Sequence, residues 1–174
     1  MESLVVVVPG APQSAIRRVA KAAVDPNTDL ALLRLDGEPL PALPLAEANF
    51  AAEGQPIAFM GFPIGSALGL TPVTHRGIVA AVTPIGIPQA NSRQLNPALI
   101  RRLSGEKLRV YQLDATAYPG NSGSPLFDPD SGEVLGIINM VFVKGTKENA
   151  LSAPSGITYA IPVSHLRALL MDVR

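Results

Sequence analysis

The sequence contains no cysteine, and its charge is sparse and balanced over 174 residues. The lack of cysteine excludes disulfides, cysteine-ligated metal sites and thiol catalysis. Lysine and arginine together number 14, as do aspartate and glutamate, so the net charge is zero. That balance provides no electrostatic attraction to nucleic acid or to an anionic membrane surface. We therefore expect no nucleic-acid partner.

Long hydrophobic runs are missing as well. The longest run near the start, Leu4–Val8, is far too short to cross a bilayer, so we expect no membrane span. The opening stretch MESLVVVVPG has no basic segment and no cleavage site, so it does not resemble a signal peptide. The two histidines, His75 and His165, are far apart in sequence and give no metal-ligand spacing, so no metal or cofactor is predicted.

What the sequence does contain is many short apolar runs separated by turn residues. Apolar residues make up 47% of the chain, enough for a core, and the 15 glycines and 17 prolines are spread along it. This punctuation favours an all-β protein of single-domain length. The predicted strands are residues 4–8, 30–35, 55–60, 73–82, 110–115, 133–142 and 157–161.

Other segments are read less directly from the pattern. Residues 15–24 combine a helix-forming composition with no clean alternation, so periodicity leaves helix and strand open. Near the end, Val163, Leu166, Leu170 and Val173 fall on one helical stripe, and Ser164 is a suitable cap. A terminal amphipathic helix is therefore predicted. Residues 36–50 are rich in proline and indicate an extended connector, and residues 86–109 indicate a long surface loop.

The stretch GNSGSP, residues 120–125, sets Ser122 between two glycines. A serine hydroxyl needs a neighbouring base to become a nucleophile, and the oxyanion formed on attack at a carbonyl needs hydrogen-bond donors. A tight turn here would direct the N–H groups of Gly120 and Ser122 into one concavity. A plain β-turn with no catalytic role explains the same letters, so the motif alone leaves both interpretations open.

A carboxylate lies upstream, at the head of an apolar strand. Asp29 opens this strand in DPNTDLALLRLDG, where it could orient a catalytic histidine as the third member of a serine triad. Asp29 could equally be an Asx-turn residue, because Asp25, Pro26 and Asn27 form a turn signal beside it.

Five stretches in order now resemble a known family: DPNTDLALLRL, GQPIAFMGFPIG, VTHRGIVAAV, YQLDATAYPGNSGSPLFDPDSGEVLGIINMV and GITYAIPVSHLRALL. Together they resemble a chymotrypsin-fold serine protease of the HtrA or Deg type. The motif GNSGSP, with Ser124 in place of a second glycine, also resembles the glutamyl endopeptidase branch of these proteases. The histidine that sets specificity in that branch is absent from GIINMVF. The resemblance implies two β-barrels, a polypeptide substrate and no cofactor. It also implies that residues 15–24 form a strand.

The resemblance further implies site residues. Ser122 matches the nucleophile, Asp29 the triad aspartate, and Gly120 and Ser122 the oxyanion-hole donors. The implied substrate-binding residues are Thr116 at the base of the specificity pocket and Asn139, Met140 and Val141 on the strand that pairs with substrate. Because Thr116 is uncharged and Met140 and Val141 are apolar, we expect small or medium aliphatic side chains before the scissile bond.

The triad histidine has no match. Counting back from Asp29 to the position where the family carries it reaches Met1 or beyond, and His75 and His165 both fall elsewhere. For His75 we expect an exposed or strand-edge position, and for His165 a place on the terminal helix, rather than the role of general base. The first strands of the N-terminal barrel are also missing, which would leave open sheet edges.

Two accounts of this departure remain. The chain is a piece of a longer exported protease, which we favour because losing whole strands costs stability, or it is a pseudo-protease that binds peptides by strand addition. We expect residues 1–66 to be a partial N-terminal barrel and residues 67–174 a C-terminal barrel with its helix, the barrel itself spanning about residues 71–162. A phosphate site in GFPIGSALG lacks a lysine and a following helix and is not supported. The oligomeric state and the compartment are not fixed by the sequence, although the resemblance implies a periplasmic or exported protein.

Overall fold

A computed structural model of the protein describes residues 4–8, 15–63, 71–85, 108–139 and 157–173. These residues form nine β-strands and, within the described ranges, one α-helix. The strands are β1 (Leu4–Val8), β2 (Ala15–Asp25), β3 (Leu30–Leu35), β4 (Pro56–Gly61), β5 (Val73–Ile85), β6 (Leu108–Asp114), β7 (Pro125–Phe127), β8 (Val134–Asn139) and β9 (Ile157–Pro162), and the helix is α1 (Val163–Met171). The all-β class and the terminal helix are as expected from the sequence.

The first three strands form an antiparallel sheet in the order β1-β2-β3. The long strand β2 is continuous through the segment whose periodicity was ambiguous, and its pairing with β3 shifts register between Lys21 and Ala23. A bulge places an extra residue in one strand, so the side chains before and after it alternate out of phase. The shift contributes to the lack of clean alternation in residues 15–24, and the strand implied by the family resemblance is confirmed.

The other six strands close into a barrel in the order β4-β5-β6-β9-β8-β7. Every pairing is antiparallel, and closure is completed by β4 with β7 through Ala58–Phe127 and Phe59–Leu126. The sequence predicts that residues 1–66 belong to the N-terminal barrel. Strand β4 lies within that range, but it pairs with β5 and is part of the closed barrel. The connector is the proline-rich stretch ahead of it, where proline removes the N–H donors that a central strand needs.

The hydrophobic core lies inside this barrel. Each large apolar side chain that is fully buried contributes roughly 1.5–3 kcal/mol. The phenol of Tyr111, at the centre of the core, also accepts a 2.8 Å hydrogen bond from the N–H of Ala51. The side chains with essentially no exposure include Ile57, Phe59, Val79, Val110, Tyr111, Leu113, Leu126, Ile138 and Ile161.

A second, smaller cluster joins the N-terminal sheet to the barrel. Leu30 of β3 is buried against Val110, Ile161 and Leu169, the last of these on α1. The helix begins directly after Pro162 without a side-chain cap, so the expected cap at Ser164 is wrong. Pro162 holds the extended conformation that ends β9, and Ser164 already lies inside the first turn, too late to cap it.

Several expectations fall on residues that the structure does not describe. Residues 86–107, most of the predicted surface loop, lie outside the described ranges, as do Met140 and Val141. Leu108 and Arg109, at the end of that predicted loop, belong to β6. In the described part of the chain, the search for a helix long and apolar enough to cross a membrane found none.

Candidate active site

The loop of residues 118–124, here called the serine loop, consists of two consecutive tight turns. The N–H of Asn121 donates to the carbonyl of Tyr118 at 3.0 Å, and the N–H of Ser124 donates to the carbonyl of Asn121 at 3.0 Å. Gly120 and Gly123 adopt φ values of 103° and 88°, which are strained for residues with a side chain. The two glycines around Ser122 therefore allow the backbone to make these turns. Ser122 is exposed to solvent at the tip of the loop.

The barrel holds the serine loop at its end. The N–H of Gly123 donates to the carbonyl of Ile138 at 2.8 Å, and the N–H of Ile138 donates to the carbonyl of Ser124 at 2.9 Å. Among the backbone hydrogen bonds of the described residues, none uses the N–H of Gly120 or of Ser122 as donor. These two N–H groups belong to the residues on either side of Asn121.

The turn between β2 and β3 presents Asp29. The Asx-turn role considered for Asp29 belongs instead to Asp25, which accepts hydrogen bonds from the N–H of Asn27 at 2.9 Å and from the hydroxyl of Thr28 at 2.7 Å. These bonds lower the pKa of the Asp25 carboxyl. Asp29 itself has a φ of 56°, which is unusual for a residue other than glycine.

One hydrogen bond connects Asp29 to the barrel. The side-chain amide of Asn139, at the end of β8, donates to Oδ2 of Asp29 at 3.1 Å. The residue after Asp29 is the buried Leu30, which packs into the barrel-side cluster. The carboxylate is thus fixed from two directions, by an amide that faces it and by an apolar anchor beside it.

Asp29, Ser122 and Asn139 line one cleft of about 240 Å³. It lies where the N-terminal sheet meets the barrel. Sequence reasoning singled out these three residues but not the apolar ones between them, because an isoleucine in a strand carries no signal that it faces a cleft rather than the core. The remaining lining residues are Leu30, Gly123, Ile137, Ile138 and Ile161.

Other predicted site residues lie elsewhere or are not described. Thr116 is half-buried just after β6, and neither it nor Gly120 is among the residues that line this cleft. Met140 and Val141, expected on the substrate-pairing strand, lie outside the described residues. The roles assigned to these residues stay predictions.

Both histidines of the chain are described, and neither lines the cleft. His75 lies half-buried in the part of β5 that pairs, among the described strands, with β4 alone, where it is opposite Phe59 and stacked on its ring. Burial lowers its pKa. His165 lies on α1 as expected, and burial lowers its pKa as well, partly opposed by the charge of Asp25. In the described ranges, no group of three potential metal ligands is close enough to hold an ion.

A comparison with known families identifies this architecture. The family model described as a trypsin-like peptidase domain matches residues 4–137. The chain belongs to this family. The match extends from the N-terminal sheet through the serine loop and into β8, so it includes Asp29 and Ser122 together.

Individual relatives place the chain with the HtrA-type members of the trypsin-like peptidases. It is 32% identical over 149 residues to the mitochondrial serine protease HTRA2 of Bos taurus, covering 85% of this chain and 26% of that protein. It is 31% identical over 150 residues to a probable periplasmic serine endoprotease, DegP-like, of Pseudomonas fluorescens, covering 86% of this chain and 25% of that protein. The chain thus spans about a quarter of the length of these relatives.

Solved structures of HtrA-type proteases have the same fold. The HtrA-type protease AlgW, determined with a decapeptide, superposes with a TM-score of 0.69 at 26% sequence identity. The superposition covers 99% of this chain and 44% of that chain. The chymotrypsin-like fold expected from the sequence, with an N-terminal barrel represented here by three strands, is confirmed.

Proposed function

We propose that this chain is the greater part of a serine endopeptidase domain in which Ser122 attacks the peptide carbonyl. The observation that supports this most strongly is the shared cleft: Ser122 and Asp29, separated by 93 positions in sequence, line the same cavity. A turn residue without a catalytic role would not need to share a cleft with a carboxylate. The exposure of Ser122 leaves its hydroxyl open to a substrate.

The backbone of the serine loop supports a role in stabilising negative charge. When Ser122 adds to the peptide carbonyl, the carbonyl oxygen becomes an oxyanion, and correctly placed donors can lower the barrier by roughly 3–4 kcal/mol. Gly120 and Ser122 are suited to this because their N–H groups make no backbone hydrogen bond among the described residues. The intermediate then collapses to an acyl-enzyme on Ser122 with loss of the amine, and water releases the acid.

Asp29 has the properties of the triad carboxylate. Its proposed role is to hold the histidine ring in the correct tautomer and to stabilise the imidazolium that forms when the ring takes the proton of Ser122. The hydrogen bond from Asn139 occupies Oδ2 and leaves Oδ1 to accept from an imidazole N–H. A carboxylate fixed in this way would lose little freedom on receiving the ring.

The general base has no counterpart among the residues that line the cleft. We infer that the histidine comes from a polypeptide segment other than those described, because His75 and His165 both lie away from the cleft lining. Without it, the oxyanion hole and substrate binding leave only about 10³- to 10⁴-fold acceleration over water. We therefore expect the 174-residue chain alone to be nearly inactive.

The proposed substrate is an extended polypeptide with an aliphatic side chain before the scissile bond. Apolar side chains dominate the cleft lining, and the expected pocket residues Thr116, Met140 and Val141 carry no charge. Those three pocket residues would offer the charge of a lysine or arginine side chain no counterion. The decapeptide bound to the HtrA-type protease AlgW supports a peptide as the class of ligand. A peptide library should reveal preference for Val, Ala, Leu or Ile; preference for Arg, Lys or Glu would contradict this assignment.

Labelling with a fluorophosphonate tests the assignment of Ser122. The probe should react negligibly with the 174-residue chain and rapidly with the same chain joined to the in-frame sequence that precedes it in its gene. In the longer chain, Ser122→Ala should abolish labelling. The matched control is Ser124→Ala, which removes the buried neighbouring hydroxyl of the same loop and should leave labelling at Ser122 intact.

Two outcomes would contradict the proposal. Stoichiometric labelling of the short chain would mean that His75, His165 or another group of this chain acts as the base. Labelling of the longer chain that survives Ser122→Ala would place the nucleophile elsewhere.

A second function, peptide binding without cleavage, is favoured by one observation: neither histidine of this chain lines the cleft. A non-catalytic domain would retain the apolar lining and the donors of the serine loop while lacking a base. A peptide titration followed by fluorescence anisotropy separates the two functions. Binding by the longer chain without turnover or labelling would support the binder, and turnover would exclude it.

A further inference from the structure

Behind the serine loop, two polar side chains meet in a part of the molecule that the proposed reaction does not use. The side-chain nitrogen Nδ2 of Asn121 lies 3.4 Å from Nε2 of His75. Asn121 is fully buried and sits between Gly120 and Ser122, the two proposed oxyanion donors. Its side chain points away from the cleft, to which it contributes no lining. Because Asn121 is bonded to both neighbours, a backbone displacement at Asn121 would move both donors.

The other end of the same amide is unsatisfied. Oδ1 of Asn121 is buried and is the one such side-chain atom without a hydrogen-bond partner in the described residues. Gly61 covers it so closely that a Cβ at this position would lie 2.6 Å from Oδ1 and 2.2 Å from the hydroxyl oxygen of Ser124. An unpaired buried acceptor costs about 1–3 kcal/mol, so a new donor to this oxygen would be stabilising.

Among the described residues, no charged group shifts the pKa of His75. Its ring stacks on Phe59 at 4.8 Å with an interplanar angle of 14°, and the Tyr118 ring lies 6.1 Å away. The phenol of Tyr118 is the one titratable group in these ring contacts. Arg76, the next residue of β5, points to the opposite face of the strand. Burial is the cause that lowers the pKa of His75, with no charged neighbour acting on it.

We propose that His75 is a positioning residue for the serine loop, whose protonation state selects the orientation of the Asn121 carboxamide and thereby the alignment of the Gly120 and Ser122 N–H groups. The reason is the donor inventory of the two side chains. Neutral His75 accepts at Nε2 from the amide NH₂ and carries its own proton on Nδ1. Protonated His75 has an N–H at both nitrogens, so two donors then face each other.

The unsatisfied oxygen resolves that conflict. A half-turn of the amide brings Oδ1 to the Nε2–H of protonated His75 and places the NH₂ on the side of Gly61, where the Ser124 hydroxyl oxygen also lies. After this rotation the buried Oδ1 of Asn121 accepts from the charged Nε2–H of His75. This hydrogen bond is stronger than the neutral Asn121–His75 hydrogen bond that it replaces. Because Asn121 is inserted between the two donor residues, the serine loop has one geometry above the titration of His75 and another below it.

Nuclear magnetic resonance of the intact 174-residue chain tests this without any turnover. The inference rests on the proposed role of Ser122 only for its importance to catalysis, so its failure and failure of the protease assignment are distinguishable. At pH 8, long-range ¹H–¹⁵N spectra should show neutral His75 with its proton on Nδ1. On acidification, the N–H signals of Gly120 and Ser122 and the Asn121 side-chain NH₂ should shift with the midpoint of His75, below the ordinary value of 6.5.

Three substitutions isolate the cause. His75→Gln retains a polar side chain without a titrating ring and should abolish the midpoint in the loop signals. His165→Gln removes the other imidazole of the chain and should leave that midpoint unchanged, which makes it the matched control. Asn121→Asp puts a carboxylate beside the ring and should move the His75 midpoint upward, above that of the unmodified chain, because an opposite charge favours the imidazolium.

The proposal is overturned if the proton of neutral His75 resides on Nε2, or if the loop signals do not follow the His75 midpoint. It is equally overturned if the loop signals titrate unchanged in His75→Gln. Should that variant fail to fold, the tautomer and the midpoints of the unmodified chain decide the question without it.

Discussion

The N-terminal sheet and the barrel both line the cleft, but they differ greatly in how well their side chains are packed. The six strands of the barrel close on one another, and its interior residues have almost no exposed surface. The sheet β1-β2-β3 has two edges and leaves apolar side chains in solvent, including Ile16 at 65% and Leu33 at 48% exposure. Among the described residues of β1 to β3, Leu30 is the one buried hydrophobic residue.

This difference separates the two catalytic candidates. Ser122 is held by the barrel through the hydrogen bonds of the serine loop with β8. Asp29 belongs to the weakly packed sheet and depends on Leu30 and Asn139 for its position. We infer that the serine side of the site survives partial unfolding that would already have displaced the aspartate, since local stability follows the density of buried apolar contacts.

The largest expected effect on stability comes from a substitution in the core of the barrel. Leu113 is fully buried, so Leu113→Ala removes its transfer free energy and leaves a cavity, which should lower the free energy of unfolding by about 2–5 kcal/mol. The matched control is Leu33→Ala, the same change at the half-exposed position in β3, with an expected cost below about 1 kcal/mol. Denaturant unfolding followed by circular dichroism measures both. Equal losses would mean that the outer face of the sheet is covered in solution.

A slightly smaller effect is expected at the anchor between the two parts. Leu30→Ala removes the apolar contact with Val110, Ile161 and Leu169, at a cost of roughly 2–3 kcal/mol, the lower part of the range for such changes. Hydrogen exchange should accelerate in β2 and β3 while the protected amides of β6 and β9 keep their rates. Uniform acceleration in the barrel as well would show that sheet and barrel unfold as one cooperative unit.

A local effect is expected at the hydrogen bond to the aspartate. Asn139→Ala removes the donor to Asp29 Oδ2, and because Asp29 is exposed to solvent the cost should be only about 1 kcal/mol. The visible consequence should be a change in the backbone signals of residues 27–30 and not in those of the serine loop. Signals that move throughout the barrel would contradict a purely local contact.

The smallest effect concerns pH. Burial lowers the pKa of both His75 and His165 from 6.5, so the unfolded chain takes up protons at a higher pH than the folded chain. The stabilising contribution is therefore complete above about pH 6.5 and is lost as pH falls through the folded values. Urea midpoints at pH 8, 6.5 and 5 should decline in that order, and His75→Gln should flatten part of the decline. A midpoint that is constant from pH 8 to 5 would contradict these directions.

The fold was predictable where local pattern and tertiary structure agree. Short apolar runs between turn residues located most strands to within a few residues, although the three-residue strand β7 is not among them. The two glycines around Ser122 indicated a tight turn at the position where one is found. In β2 the bulge at Lys21–Ala23 makes the sequence pattern hard to interpret, because it inverts the alternation of side chains between the two faces within a single strand. The start of α1 was misjudged because Pro162, rather than a polar side chain, sets the boundary.

The candidate site was predictable only in part, for a physical reason. The local sequence identifies Ser122 by its motif and Asp29 by its position at the start of a strand. A contact between side chains that are far apart in sequence produces no pattern in the local sequence. The pair of His75 and Asn121 is separated by 46 positions, and His75 was expected at an exposed or edge position. Its half-buried place depends on the pairing of β4 with β5, which stacks it on Phe59.

The backbone of Asp29 has a consequence for protein engineering. A φ of 56° costs most residues with a side chain roughly 1–2 kcal/mol relative to glycine, and it costs aspartate, whose short polar side chain tolerates this conformation, a smaller amount. Selection for heat resistance alone should therefore favour Asp29→Gly, which relaxes the backbone while deleting the carboxylate. Selection that also requires peptide cleavage should reject it. The aspartate at this position would then mark a trade-off between thermal robustness and turnover, and a library screened both ways would measure it directly.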